Sequence, residues 1–493
     1  MPLDPVTGQG GIAFLAIYLL SLLLIGFFAN RSRQEKSLRD YYLAGSSLGP
    51  VALFFTLYAT QYSGNTLFAV PGKAYRNGLI GLSVVVAVMG IVLIYSLFAT
   101  RLNRYAHRHE LVSIGDFIRH RFASRPLLIL VNVIAMITLI TYALGNFKAV
   151  GLLLENASNG TLSFASGIML LAVVMGIYES LGGLRGVVWT DILQGSLLFS
   201  GSLLIFFCVV SLDDATSITR PAVFGRELVR FFSEEARLVS FVSTVLLIAF
   251  GAAVYPQAIQ RMYMARNPRV LLRSYIPLFF MPLLTTLPMI LVGISVAAWA
   301  PDLDTRQSEN VIIYAIGHIT RHYPGLSWLL VLYMGAAIAA IMSTIDSALL
   351  TLGSLVVNDV IGQGQETGDP QKQIRLYRAG RYTSWILMLI MAVLAIILPH
   401  TIWSLMIFKF ELLIQIVPVF ILGSMFPRLS KGPVLAGLIG GSLVAMLLKV
   451  SSLTTMDLSQ PLGIHAGIWG LLFNLVLVLA GTGRLSRQSA PQS

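Results

Sequence analysis

Gly335–Leu350 reads GAAIAAIMSTIDSALL, an apolar run that carries three hydroxyls and a carboxylate within two helical turns. Residues three and four apart share a helical face, so Ala340, Ser343, Thr344 and Ser347 form one narrow stripe of small, oxygen-bearing side chains. Such a stripe has two readings. It lets helices approach closely, or it presents oxygen ligands to a hard monovalent cation, with a backbone carbonyl within reach. Asp346 favours the second, because a carboxylate in hydrocarbon costs roughly 2.5 kcal/mol or more and must face protein, water or an ion.

The rest of the chain fits that setting. Its 493 residues are 56% hydrophobic and 11% charged, less than half the charge of a soluble domain, which makes it an all-α integral membrane protein. Apolar runs near 11–29, 48–72, 78–100, 127–154, 161–181, 187–211, 238–259, 272–299, 326–357, 380–398, 402–427, 432–450 and 463–482 predict about thirteen transmembrane helices. No Lys or Arg precedes the first run, and Arg31, Arg33, Lys36 and Arg39 follow it. That order is the reverse of a signal peptide, so a retained helix with its N-terminus outside is expected. Threaded that way, inward segments such as Arg101–Arg125 and Arg261–Arg273 hold 23 of the 34 basic residues and outward ones hold eight. The net charge of +12 is therefore a topology signal, placing the C-terminus in the cytoplasm of a plasma-membrane protein and excluding nucleic acid as a partner. The single cysteine, Cys208, leaves no intramolecular disulfide and no cysteine metal cluster.

Two runs carry helix breakers at mid-depth. Leu48–Gly72 contains ATQYSGNT over Ala59–Thr66, and the run ending at Arg261 contains Gly251 and Pro256. Interrupted helices expose carbonyls to ions and solutes, and breaks at matching positions of two halves point to an inverted-repeat transporter. The expected single transporter domain has an extra helix at 11–29, five-helix repeats at 48–211 and 238–427, two further helices in 432–482 and a cytoplasmic tail at 483–493. Ala59 and Tyr62 can offer carbonyls to a cation, while Gln61, Ser63 and Asn65 can offer side chains to a solute. An interhelical hydrogen-bond cluster is the plain alternative.

Other polar residues inside spans keep two readings each. Asp191 in GGLRGVVWTDILQ is a helix-start charge or an ion-path ligand. Lys148 meets an anionic solute group or snorkels outward. Lys409 and Glu411 sit two apart on different faces, so each is expected to find a partner on another span. Ile312, Ala315, Ile316 and Ile319 form an apolar stripe in an outward segment, predicting a short helix on the outer mouth, as a lid or a connector. Enzyme signals fail: GSSLG at Gly45–Gly49 has the nucleophile-elbow spacing but opens a membrane span, and no zinc, phosphate-loop or dinucleotide motif accompanies it.

Four blocks in order, YYLAGSSLGP with the following ATQYSGN and PG, GGLRGVVWTDILQ, YPQAIQR and AAIMSTIDSALL, resemble the sodium:solute symporter family, which includes proline, pantothenate, sialic acid and sodium/glucose symporters. The resemblance implies a LeuT-type fold of two inverted five-helix repeats and sodium-driven uptake by alternating access. It implies a shared sodium site at Ala59, Tyr62, Ala340, Ser343 and Thr344. It also implies a further site for a second cation or a proton at Asp191, Asp346 and Ser347, where Asp346 replaces the serine of the two-sodium pattern. Gln61 stands where the proline symporter has an aspartate, which argues against proline. The expectation is a sodium-coupled symporter of a small carboxylate-bearing solute, functional as a monomer in the lipid bilayer, with Na+ as the coupling ion. Gln61, Ser63, Asn65, Asn146, Lys148 and Tyr255 would line its pocket. The alternatives are a proton-coupled carrier using Asp191 and Asp346, and a transporter-like sensor, disfavoured by the short polar tail.

Overall fold

The computed structural model describes residues 9–31, 37–157, 162–212, 235–363, 370–398, 402–451 and 460–488. Each of the thirteen apolar stretches is mainly helical in its described part, with interruptions inside 48–72 and 238–259. The chain opens with α1 (Gln9–Arg31) and then the interrupted span, α2 (Pro50–Gln61) followed by the single turn Gly64–Leu67 and α3 (Ala69–Asn77). Next come α4 (Leu82–Arg108), the short α5 (Ile114–Phe122), α6 (Arg125–Ala157) and α7 (Phe164–Leu212). Gly183, at φ 56° and ψ −153°, breaks α7 and splits it into the two expected spans. A residue with a Cβ strains in that conformation, so GGLRG is the turn between them.

The second interrupted span is α8 (Glu235–Ala253) followed by α9 (Pro256–Met264), bent by 47° at the break. α10 (Pro268–Trp299) passes through one π turn at Pro282–Thr286. The short helix α11 (Val311–His322) buries Ile312, Ala315, Ile316 and Ile319, the stripe expected of it, against α10. Then follow α12 (Trp328–Ser354), α13 (Pro370–Ile397), α14 (Ile402–Leu413), α15 (Lys431–Ser451) and α16 (Ala466–Gln488).

Burial sorts these helices into centre and rim. The most apolar stretch of α12 is 83% buried and that of α15 only 28%, so α12 is the axis of the bundle and α15 faces lipid. A helix that is apolar on all sides belongs in the middle. α12 packs chiefly against α6 and α7. Its hydroxyls are satisfied within its own backbone: Thr344 donates to the Ala340 carbonyl at 2.9 Å and Ser347 to that of Ser343 at 2.8 Å. This back-bonding lets polar side chains lie in an apolar helix without exposing a donor.

At the start of the first interrupted span and the end of the second, the backbones pair directly. The Leu48 amide donates to the Met264 carbonyl at 3.1 Å, and the Arg266 amide to the Leu48 carbonyl at 3.2 Å. Asn103 on α4 donates to the Met262 and Ala265 carbonyls at 2.8 and 2.9 Å, completing the end of α9. Nearby, a Ser113–Asp116 capping box starts α5, and Arg119 reaches from it to Asp359 at 3.2 Å below α12. Asp359 also accepts from Ser113 at 2.6 Å and from Asn132 at 2.9 Å.

Candidate functional site: a cation cradle and a solute cavity

Because α2 stops at Gln61, the carbonyls of its last turn lose the amides that would close the helix. Tyr62 and Ser63 are extended, at φ/ψ of −96°/108° and −114°/−176°. The Tyr62 amide takes the Tyr58 carbonyl, which leaves those of Ala59 and Thr60 for other helices. Ser343 on α12 donates to the Ala59 carbonyl at 3.0 Å, and Tyr142 on α6 to that of Thr60 at 3.2 Å. On the far side of the break, Ser63 caps the Asn65 amide at 3.2 Å, and Asn146 accepts from the Gly64 amide at 3.1 Å.

The structure thus brings Ala59, Ala340, Ser343 and Thr344 together at one crossing, with Tyr62 a turn away, all of them buried. Two backbone carbonyls and two hydroxyls are hard, neutral oxygen donors, the kind a hard cation takes. Each hydroxyl now donates to a carbonyl and can turn a lone pair to an ion. Among the described residues no group of three or more His, Cys, Asp or Glu could hold a transition metal.

A second polar cluster lies deeper along α12. Thr56 donates to Asp191 at 2.5 Å, Thr60 and Ser347 are 3.0 Å apart, and Tyr178 donates to Asp346. Here the sequence reading needs correction. Arg261, assigned by hydropathy to an inward segment, is fully buried on α9 and enters this cluster. Its guanidinium donates to Ser347 at 2.6 Å and to Thr56 at 3.1 Å, and it lies 3.8 Å from Asp191. α9 is only half a span, so the polar residues Gln257, Gln260 and Arg261 turn inward at a depth that a 20-residue hydropathy count reads as loop.

Above the cation cradle, a small cavity sits between α2, α6, α8 and α14. Gln61, Tyr62, Ser63, Asn65, Tyr142, Tyr255 and Lys409 are on its wall. Gln61 is held by the Tyr95 hydroxyl at 2.9 Å, and the Tyr142 and Tyr255 rings stack 5.3 Å apart. Asn146 and Lys148, the other two expected pocket residues, are not on the wall. The Asn146 amide is spent on Gly64 and on the Tyr142 carbonyl at 2.8 Å, and the Lys148 ammonium donates to the Leu398 carbonyl.

The cation on the wall is Lys409, which sequence reasoning had left to pair with another span. Its ammonium is 3.3 Å from the Tyr142 ring centroid, 5.2 Å from that of Tyr255 and 4.9 Å from that of Phe410. Among the described residues no carboxylate lies within ion-pair distance of it. Glu411, on the opposite face, also reaches other spans, 3.7 Å from Lys449 and 3.8 Å from His465, so each of the two has partners on another span. The two-residue spacing that separates them was legible; which of the two faces the cavity was not.

Comparison with known proteins agrees with this architecture. The sodium/proline-type relatives include the high-affinity proline transporter PutP of Bacillus subtilis, 25% identical over 95% of this chain and 98% of its own length. The sodium/pantothenate symporter of Escherichia coli is 24% identical over 95% of each chain. A Na+-coupled sialic acid symporter solved in a substrate-bound outward-open state superposes with a TM-score of 0.75 over 96% of this chain and 97% of its own, at 18% identity. Mhp1, a nucleobase-cation symporter, gives 0.59 over 92% of this chain and 95% of its own, at 13% identity. The profile of the sodium:solute symporter family matches residues 41–441. The protein is a multi-pass membrane transporter rather than an enzyme, with sodium as its coupling ion, and it belongs to the sodium:solute symporter family.

Proposed function

We propose that the transported solute is a small molecule bearing a carboxylate, an amino acid or a monocarboxylate, imported with sodium and anchored by Lys409. The observation that carries this is a buried ammonium on the cavity wall with aromatic faces around it and no carboxylate of the described residues beside it. A buried cation without a counter-charge is costly, and a carboxylate solute supplies one. Gln61, Ser63, Asn65 and Tyr255 offer the remaining polar contacts, and the neighbouring rings admit a short apolar substituent. Lys148, bound to a carbonyl elsewhere, has no part in this reading.

Sodium at Ala59, Tyr62, Ala340, Ser343 and Thr344 would bridge the break after α2 to α12. Because the same break supplies Ser63 and Asn65 to the cavity, an ion holding it in one geometry pre-forms the solute contacts, which is the coupling that symport requires. The basic-residue bias supports an N-terminus outside and a C-terminus in the cytoplasm. The paired interruptions support repeats at 48–211 and 238–427.

The test is uptake into proteoliposomes of radiolabelled amino acids, monocarboxylates and sugars under separate inward sodium and proton gradients. Sodium-driven uptake of a carboxylate, lost when that carboxylate is amidated, is the expected result. Preferred uptake of a sugar, or uptake driven by the proton gradient alone, would overturn the reading.

A further inference from the structure

The cluster beneath the cation cradle holds the donor set that the sequence suggested for a second ion: Asp191 from α7, Ser347 from α12, and Asp346 next to it. In the structure that place has an occupant from the protein itself. The Arg261 guanidinium bonds Ser347 at 2.6 Å, Thr56 at 3.1 Å and the Gln257 carbonyl at 3.3 Å, and its partner carboxylate oxygen on Asp191 is 3.8 Å away. All four side chains, Arg261, Asp191, Ser347 and Thr56, are at or near zero exposure. Arginine stays charged under all ordinary conditions and its planar fork suits several oxygen acceptors at once. It joins α2, α7 and α12 as a metal ion would, but it is fixed to α9 by its own side chain.

We infer that Arg261 is a tethered cation that fills the second ion position, so that the protein binds and moves a single sodium ion per cycle. This rests on the reading of Ala59, Ser343 and Thr344 as a sodium site. A guanidinium in this place competes directly with a second sodium: the Ser347 oxygen and the nearer Asp191 oxygen are both within its reach, and a second positive charge within a few ångströms meets strong repulsion in so buried a setting. A fixed charge also carries no ion down a gradient. Arg261 therefore gives the structural bridge of a second sodium without its driving force, and the accumulation ratio is set by one sodium gradient.

The experiment counts sodium ions bound to the purified full-length chain with 22Na+ in a scintillation proximity assay, a readout that needs no knowledge of the solute. One equivalent with a non-sigmoidal isotherm is expected, and two equivalents would overturn the inference. No saturable binding would instead sink the sodium-site reading beneath it. In Arg261→Gln, which keeps a donor for Ser347 and removes the charge, a second equivalent is expected. It should vanish again in Arg261→Gln with Asp191→Asn. A folded, monodisperse Arg261→Gln that still binds one equivalent would overturn the inference; if that variant does not fold, the count on the unaltered chain still decides.

Discussion

Thr344→Ala separates the ion-binding role of the cradle from its structural one. The Thr344 hydroxyl donates within its own helix, to Ala340 at 2.9 Å, and its one side-chain partner on another helix is the Tyr142 hydroxyl of α6, which also donates to the Thr60 carbonyl. Ser343 differs, because its hydroxyl ties α12 to the Ala59 carbonyl at 3.0 Å. A contact between a neutral dipole and a full charge is worth about 1.5–3 kcal/mol. On that scale Thr344→Ala raises the sodium concentration for half-maximal activation by roughly 10- to 150-fold, at about 1.4 kcal/mol per decade. Without sodium it should lose no more than the worth of one hydrogen bond, about 1 kcal/mol, because Tyr142 keeps the Thr60 carbonyl. Ser343→Ala should lose a similar factor in sodium and, in addition, about 1 kcal/mol of stability without sodium, the usual net worth of a hydrogen bond. Sodium-activated uptake and nanoscale fluorimetry with and without sodium measure the two quantities, and Thr344→Ser should restore much of the ion affinity. A half-maximal sodium concentration within about twofold of the unaltered value in Thr344→Ala, far below the shift expected for a lost charge–dipole contact, would refute the ligand assignment.

The other expectations follow from single contacts. Lys409→Met should weaken carboxylate solutes by roughly 10- to 150-fold while an amidated analogue loses little more, measured as inhibition of labelled uptake. Asn146→Leu leaves the Gly64 amide buried without its acceptor and should lower stability by about 1–3 kcal/mol, read from thermal unfolding in sodium-free buffer. Gly64→Ala puts a Cβ 2.7 Å from Ile341 Cγ1, and the resulting overpacking should cost about 1–3 kcal/mol and disturb the break itself, so uptake should fall with stability. Asp359→Ala strips Arg119, Ser113 and Asn132 of their common acceptor, and a loss of roughly 3–5 kcal/mol is expected by the same unfolding measurement.

Hydropathy made the helices legible because the bilayer imposes one length on all of them, and α12 announced itself by the hydroxyls and the carboxylate set in an otherwise apolar run. The interruptions were legible too, through Gly64 and Pro256, since a helix cannot run unbroken where a glycine meets polar neighbours or where a proline removes an amide. What the sequence could not tell was direction. Lys148 and Lys409 are both lone lysines in apolar runs, and only the packing of α6 against α13 and α14 decides that one meets a carbonyl and the other a cavity. Arg261 was hidden for a related reason: its segment is too short and too polar to look like membrane interior, yet α9 needs only half the bilayer and is covered by α2, α4 and α12. Asn146, expected to touch solute, instead completes the backbone of the break, a demand that arises only once the carbonyl and amide partners are known.

The backbone pairing of Leu48 with Met264 and Arg266 has a mechanical corollary. It yokes one end of each interrupted span to the other like a shared axle, so neither can swing alone without rupturing a pair of backbone hydrogen bonds. Rotation about the breaks at Tyr62 and Tyr255 then becomes the compliant motion, and any tilt imposed on one half-helix is delivered to its counterpart as torque.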